Sequence, residues 1–449
     1  MGINENANRR IIRNIILSLL VLSSLLLSFS LWTTGKSINE ENNSSNQAKP
    51  SRVSVVTHSL EEVYRPKLIA LHGIFEDRPL VITRSYSLVE QIEDIMEKSN
   101  LKNIERVNKI TKEDYLKRLE SGSWLEFVYP EKIPFGLIES KFTDLSKEDE
   151  ELFFDRIIFD QKNRSKIYFY HMASESFYTA RRKADEKINI GSLFAEDTIE
   201  FIEAEVISLA GAMRYLPINN LEISRESYIV NQFPSRSYIN NFFQDTSLVD
   251  VRSANKYTRY IDLTKEVTIN ENTHVLSYLS QIYQSDQLDI DERYEKSFQQ
   301  MNQFENWTDS LIFSAYDADR ERLYYRREIK GIPVFSENDE ESLMEISLVE
   351  EGITHMELPL RFINIPIDIK DETKKTLLSG VEMIENLRQK LTAEEFNLIE
   401  DCMIGYSWIE SDEDDQVINF DPNWYLLYEG KWLSYSSLLE IEKETVYGF

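Results

Sequence analysis

The sequence predicts an α+β fold, with a single N-terminal transmembrane helix followed by a multidomain extracellular region of mostly antiparallel sheets with packed helices. Three observations lead there. Residues 11–32, IIRNIILSLLVLSSLLLSFSLW, form one long apolar run at an extreme end of the chain. Beyond it, short β-branched and aliphatic runs alternate irregularly with stretches of helical periodicity, and no long βαβ period appears. Finally, the 449 residues leave about 400 after the apolar run, room for two or three domains.

The apolar run is long enough to cross a bilayer once. At about 1.5 Å per residue it spans roughly 33 Å, close to the hydrocarbon thickness. Arg9, Arg10 and Arg13 lie on its N-terminal side, whereas the far side offers only Lys36 before Glu40 and Glu41. The positive-inside bias therefore predicts a cell-membrane protein with a cytoplasmic N-terminus and an extracellular bulk, and Trp32 suits an interfacial aromatic. A cleaved signal peptide shares the basic start and apolar core. Against it stand a run longer than the ~7–15 residues of a signal core and an exit, SLWTTGKSINEE, without a clear cleavage site.

Composition narrows the function classes. A formal net charge of −28 excludes phosphate-backbone binding, which needs clustered Lys and Arg, so no nucleic acid is expected as a partner. Cys402 is the only cysteine, so no intramolecular disulfide exists. An exported domain held together by core burial alone fits a Gram-positive surface better than a eukaryotic secreted protein.

In chain order, a cytoplasmic tail (1–10) and the helix (11–32) precede a polar Asn/Ser-rich linker (33–55). An N-terminal α+β domain is expected over 56–215. There LIALH and PLVIT read as paired strands, and Ser87 with Glu90 has capping-box spacing before a helix to about Lys98. KEDYLKRLE reads as a helix, SWLEFVYP as a strand, SKEDEELFFDRIIFDQ as a helix capped by Ser146, and KIYFYHM as a strand. A central domain (216–298) contains a helix end and loop within Tyr238–Val251, then strands at KYTRYIDLT and THVLSYL. A C-terminal α+β domain (299–449) follows an amphipathic helix that starts near Tyr294 and includes Phe298, Met301, Phe304 and Trp307. It adds strands at ERLYYRREI and SLMEISLVEEGITHMELPLRF, helices near Val381–Leu391 and over AEEFNLIEDCMI, and closing strands through VINFDPNWYLLY.

Residues that carry chemistry are scattered. His58, His72, His171, His274 and His355 lack metal-motif spacing. Asp286, Asp289 and Asp291 lack the central Gly of a calcium loop, Asp317 and Asp319 stand in YDADRER, and Asp412, Glu413, Asp414 and Asp415 read as a solvated hairpin tip. No G-x-S-x-G or phosphate loop occurs, and Cys402 falls in an apolar helical pattern that buries it. The aromatic runs LYYRREIKGIPVF and DPNWYLLYEGKW read as core. No catalytic residue, metal site or cofactor is expected.

Several short motifs nevertheless stand out together. GIPVF at Gly331–Phe335, GY at Gly405–Tyr406 and FDPNWYLLYEGKW at Phe420–Trp432 resemble the YycH (WalH) family of Gram-positive bacteria. VYRP at Val63–Pro66, leading into LIALH, FFQDTSLV at Phe242–Val249 and the N-terminal run ending SLW agree. The likeness covers essentially the whole chain, is specific mainly in combination, and departs at the long linker and at the Phe-Asp-Pro before Trp424.

This resemblance implies a non-enzymatic, membrane-anchored regulator of the WalK–WalR two-component system. Its implied partners are a YycI-like sister protein and a WalK-like sensor histidine kinase, contacted through transmembrane helices and outer domains; a dimer is a further expectation. Ser24 and Ser28 form a small-xxx-small pair, with Ser23 and Ser30 nearby, so these four serines are the expected packing face of the span. Two other readings stay open: a ligand-binding sensor domain whose aromatic clusters line a pocket, and a carboxylate-dependent cell-wall hydrolase using Asp317 or Asp319.

Overall fold

Strand alternation with apolar residues on both faces organises the chain into two large sheets. In the computed structural model, residues 58–76, 78–84, 88–91, 96, 100–107, 109–163, 165–182, 199–243, 245–281, 286–304, 310–367 and 374–440 are described. They belong to one compact unit, Ser51–Phe449.

The first sheet is built from β1 (Leu68–His72), β2 (Leu80–Thr83), β3 (Lys102–Val107), β4 (Trp124–Pro134), β5 (Phe153–Asp160), β6 (Lys166–His171), β7 (Ser176–Arg181), β8 (Ile202–Leu209) and β9 (Ala212–Pro217). Its strand order is β3-β7-β6-β5-β4-β1-β2-β8-β9. Period-2 alternation sends Ile69, Leu71, Leu125 and Phe127 into the largest hydrophobic cluster, while Leu68, Ala70 and Val128 face the β8–β9 hairpin.

A short pair joins β10 (Leu221–Ser224) to β22 (Lys374–Leu377). The second large sheet takes in β11 (Glu226–Gln232), β12 (Asp250–Ala254), β13 (Tyr257–Ile261), β14 (Lys265–Asn270), β15 (Val275–Ser280), β16 (Ser310–Asp317), β17 (Arg322–Ile329), β18 (Ile332–Phe335), β19 (Leu343–Val349), β20 (Gly352–Pro359), β21 (Arg361–Pro366), β23 (Ile399–Glu410), β24 (Val417–Tyr428) and β25 (Lys431–Ser434). Its path runs β12-β13-β14-β15-β20-β19-β17-β18-β23-β24-β11-β21, with β16 on β17 and β25 on β24. Among the described strand pairs only β18–β23 is parallel.

Helices fill the gaps: α1 (Leu60–Val63), α2 (Lys112–Glu120), α3 (Lys147–Glu150), α4 (Ser235–Phe242), α5 (Ile290–Phe304), α6 (Gly380–Lys390) and α7 (Ala393–Phe396). The Ser379 hydroxyl caps α6 and Thr111 caps α2. Buried Tyr294, Met301 and Phe304 on α5 pack into the largest cluster, the last with its ring stacked 4.5 Å from Phe242.

The α+β class with large antiparallel sheets holds, but its membrane component is corrected. Among the described residues no helix is long and apolar enough to cross a membrane. The longest described helix, α5, has 15 residues and carries Asp291, Glu292, Arg293, Glu295 and Lys296, so it reaches about 22 Å with charge along its length. The expected transmembrane helix, and with it the single-pass cell-membrane localisation with a cytoplasmic N-terminus, is therefore not supported. The stretch read that way, with Arg9, Arg10, Arg13, Ser23, Ser24, Ser28, Ser30 and Trp32, lies outside the described residues.

Two local expectations also change. In SKEDEELFFDRIIFDQ the helix ends at Glu150, and Phe153–Asp160 becomes a strand paired on both sides, with β4 and β6. In AEEFNLIEDCMI the helix ends at Phe396, and Ile399 begins a strand that pairs with β24 along its whole length. In both, partners distant in sequence outweigh a short helical period.

Candidate functional site

Where the two sheets face each other, α1 and the chain after it act as the clasp. A capping box at Ser59 and Glu62 starts α1, and the segment then runs into β1. The Tyr64 hydroxyl donates to the Tyr294 carbonyl at 2.9 Å. Its one proton is then spent, so Tyr325, 2.6 Å away, donates to Tyr64, and Ser297, 2.6 Å further, donates to Tyr325. All four residues are buried, so this chain of hydroxyls links α1, α5 and β17. Next to it, Arg65 pairs with Glu328 of β17. Lys67 lies 3.4 Å from Asp401 of β23, which Arg214 of β9 also grips. Burial pushes the Asp401 carboxyl up, but the Lys67 and Arg214 charges outweigh this and hold it below its ordinary value.

Inside the first sheet sits a second polar cluster. Glu126, wholly buried on β4, accepts from His72 Nε2 at 2.9 Å, from the Tyr115 hydroxyl at 2.8 Å and from the Tyr215 hydroxyl. Arg156 Nε approaches it to 3.2 Å. Tyr215 comes from β9, so this cluster pins the β8–β9 hairpin against the sheet. Burial raises the Glu126 carboxyl, yet the His72 bond and charge, with Arg156 and Tyr215, bring it below its ordinary value.

Between clasp and hairpin opens a cleft of about 1280 Å³. That exceeds the roughly 300–1,000 Å³ of an ordinary small-molecule site. Strands of both sheets line it, among them β2, β9, β16 and β23. Eight basic and eight acidic residues face it, although the whole chain has 50 basic against 78 acidic residues.

The motifs behind the family resemblance converge beside this cleft. Val334 and Phe335 of β18 lie in parallel register with Tyr406 and Ser407 of β23. The Phe335 ring stacks 3.9 Å from Tyr425 and sits 5.4 Å from Trp432, and the Arg326 guanidinium lies over the Phe335 ring, 4.2 Å from its centroid. Gly405 makes room for that stack, since a Cβ there would meet Phe335 at 2.4 Å. Tyr406 donates to the Ser224 carbonyl at 2.9 Å. VYRP is the clasp, and Phe242 of FFQDTSLV stacks on Tyr278 and Phe304. The motifs are thus joints of the fold.

The residues weighed for catalysis are not brought together. Asp317 accepts from the Asp319 and Arg320 amides in the β16–β17 turn, and Asp412, Glu413, Asp414 and Asp415 form the β23–β24 hairpin tip. Asp291 stands in the first turn of α5, where the helix dipole favours an acid, and Asp286 and Asp289 precede that helix. The histidines bond to separate partners: His58 to Glu62, His171 to Ser174 and His274 to Gln232. Cys402 is buried on β23, where burial and then Asp401 push its thiol up to about 12. Among the described residues, one group could offer a cation three ligands: Glu345, His355 and Glu357 on β19 and β20. Arg322 already sits 2.6 Å from Glu345, so a guanidinium holds that position.

Glu126 and Arg156 were not singled out from sequence, and His72 was weighed only as a metal ligand, though a signal existed. Glu126 and His72 each interrupt an apolar stretch, WLEFVYP and LIALH, and Arg156 stands with Asp155 ahead of the apolar IIF in FFDRIIFD.

Comparison with known proteins agrees with these joints. The YycH protein C-terminal domain family matches residues 212–440, and the YycH protein N-terminal domain family matches residues 10–188. The chain is 20% identical to the two-component system WalR/WalK regulatory protein YycH of Bacillus subtilis (strain 168), over 94% of this chain and 95% of that one. It is similar in fold to the crystal structure of YycH from Bacillus subtilis, with a TM-score of 0.68 and 16% identity, covering 86% of this chain and 99% of that one. The non-enzymatic reading stands on that relative, whose name is that of a regulatory protein. With both domain families matched in order along its length, the chain belongs to the YycH family.

Proposed function

We propose that this protein is a non-enzymatic regulator of a two-component system, acting on a WalK-like sensor histidine kinase together with a YycI-like sister protein through contacts of its folded region. The observation that carries this reading is the likeness, along 94% of the chain, to a protein named as a WalR/WalK regulator. A regulator of this kind works only by binding two kinase states unequally. Moving an equilibrium from 1:99 to 99:1 takes about 5.5 kcal/mol of differential affinity. Two broad sheets clasped by buried ion pairs supply a stiff surface for such discrimination.

The test adds the full chain, with and without the sister protein, to the intact kinase and follows autophosphorylation and phosphotransfer. A changed rate that saturates with added protein is expected. Rates unchanged under both conditions, with no co-purification of either partner, would refute the reading. Self-association is part of the same reading, and sedimentation at monomer mass across a dilution series would remove it.

A further inference from the structure

Two cations lining the cleft, Arg84 and Lys374, have no hydrogen-bond or ion-pair partner among the described residues; Lys374 is exposed, whereas Arg84, at the end of β2, is half-buried. Other cations of the cleft are paired: Arg65 with Glu328, Lys67 and Arg214 with Asp401, and Lys330 with Glu226 at 2.6 Å. Arg84 is held against the β17–β18 turn, where a Cβ on Gly331 would lie 3.8 Å from the Arg84 carbonyl oxygen. Partial burial pushes its guanidinium down to about 10. A guanidinium half-buried in the wall of a cleft, with no counter-charge among the described residues, keeps its donors free for an anion from outside.

We propose that the cleft between the two sheets binds a small anionic ligand, with a carboxylate or phosphate group seated on Arg84 and an apolar body against the adjoining cleft wall. The guanidinium fork matches both anions through two parallel N–H bonds. Ile82, Ile202, Ile312 and Ile332 give the cleft apolar surface for the rest of the molecule. The cleft is roomy enough for such a body, and its balanced charge removes the repulsion that the remainder of the chain presents to anions. This inference stands independently of the regulatory reading, because it concerns binding to the chain alone.

Trp424 and Trp432 line the same cleft and provide the readout. Octanoate, octyl phosphate, inorganic phosphate, octanol and octylamine are titrated into the full chain while tryptophan fluorescence and thermal stability are followed. Octanoate or octyl phosphate is expected to change the fluorescence saturably and raise the melting temperature, with octanol and octylamine much weaker. The preferred headgroup distinguishes a carboxylate ligand from a phosphate one, and inorganic phosphate alone reports how much the apolar body adds. Arg84→Gln should weaken binding roughly 10- to 100-fold while leaving the unliganded protein as stable or more so; Arg84→Lys should fall between. Equal binding of octanol or octylamine, no binding of either anionic amphiphile, or unchanged affinity in Arg84→Gln would overturn the proposal. So would an unliganded Arg84→Gln protein that melts well below the parent, since that would give Arg84 a structural partner.

Discussion

Replacing Glu126 by Gln tests whether the buried cluster under the β8–β9 hairpin is held by charge. The carboxylate has no exposed surface and faces His72, Tyr115, Tyr215 and Arg156. Gln keeps the volume, and one carbonyl oxygen can still accept from the tyrosines, but Arg156 loses its nearest counter-charge and keeps only Asp155 at 3.6 Å. Breaking one side of a buried pair costs about 3–5 kcal/mol, mostly as the penalty for the charge left behind. The assay is urea unfolding followed by circular dichroism, with Arg156→Met and the double variant completing a cycle. The double variant should recover about 1–3 kcal/mol relative to the sum of the singles. The pH dependence has a definite sign. The folded carboxyl is held below its ordinary 4.5, so its stabilisation is full above that value and is lost as pH falls through the lower folded value. Parent and Glu126→Gln should therefore converge in acid. A loss under about 1 kcal/mol at neutral pH, or strict additivity in the cycle, would refute the reasoning.

Two further predictions come from other parts of the second sheet. Glu341 is buried beside Arg361, and one of its carboxyl oxygens has no hydrogen-bond partner; burial, only partly offset by Arg361, pushes its carboxyl up to about 7. A raised carboxyl stabilises the fold below its ordinary 4.5 and loses that contribution as pH rises towards about 7, so Glu341→Gln should flatten the decline in stability across this interval in a pH series of melts. An unchanged slope would exclude the assignment. Gly405→Ala forces a Cβ to 2.4 Å from the buried Phe335 ring, so unfolding should become easier by about 1–3 kcal/mol, and an unchanged urea midpoint would show that the Phe335–Tyr425 stack yields freely.

Much of the local structure is legible in the chain. Ser379 begins a helix because its hydroxyl meets the Glu382 amide, and the acidic run at Asp412–Asp415 turns a hairpin because it stands between two apolar alternating strands. The motifs at Gly331–Phe335, Gly405–Tyr406 and Phe420–Trp432 pointed to the family, and the fold shows why they travel together: they are the two sides of one joint between β18, β23 and β24. Less legible were Phe153–Asp160 and Ile399–Cys402, where a few apolar residues fit either period and the choice fell to strands far away in sequence. Glu126 and Arg156 occupied an intermediate place, visible as misfits in apolar strands but not as a pair.

By itself the sequence determined the α+β character, the acidic composition and the lack of an intramolecular disulfide, because composition, capping and periodicity are local properties, and its short motifs carried the resemblance to the YycH family. Only the tertiary structure decided which strands become neighbours, how α1 clasps the two sheets, and that Arg84 faces a cleft without a counter-charge among the described residues. A strand's period of two states which side chains share a face and says nothing about the strand that lies beside it. Partnership across the fold is settled by the whole set of burial and pairing terms at once, and so is the isolation of a single guanidinium.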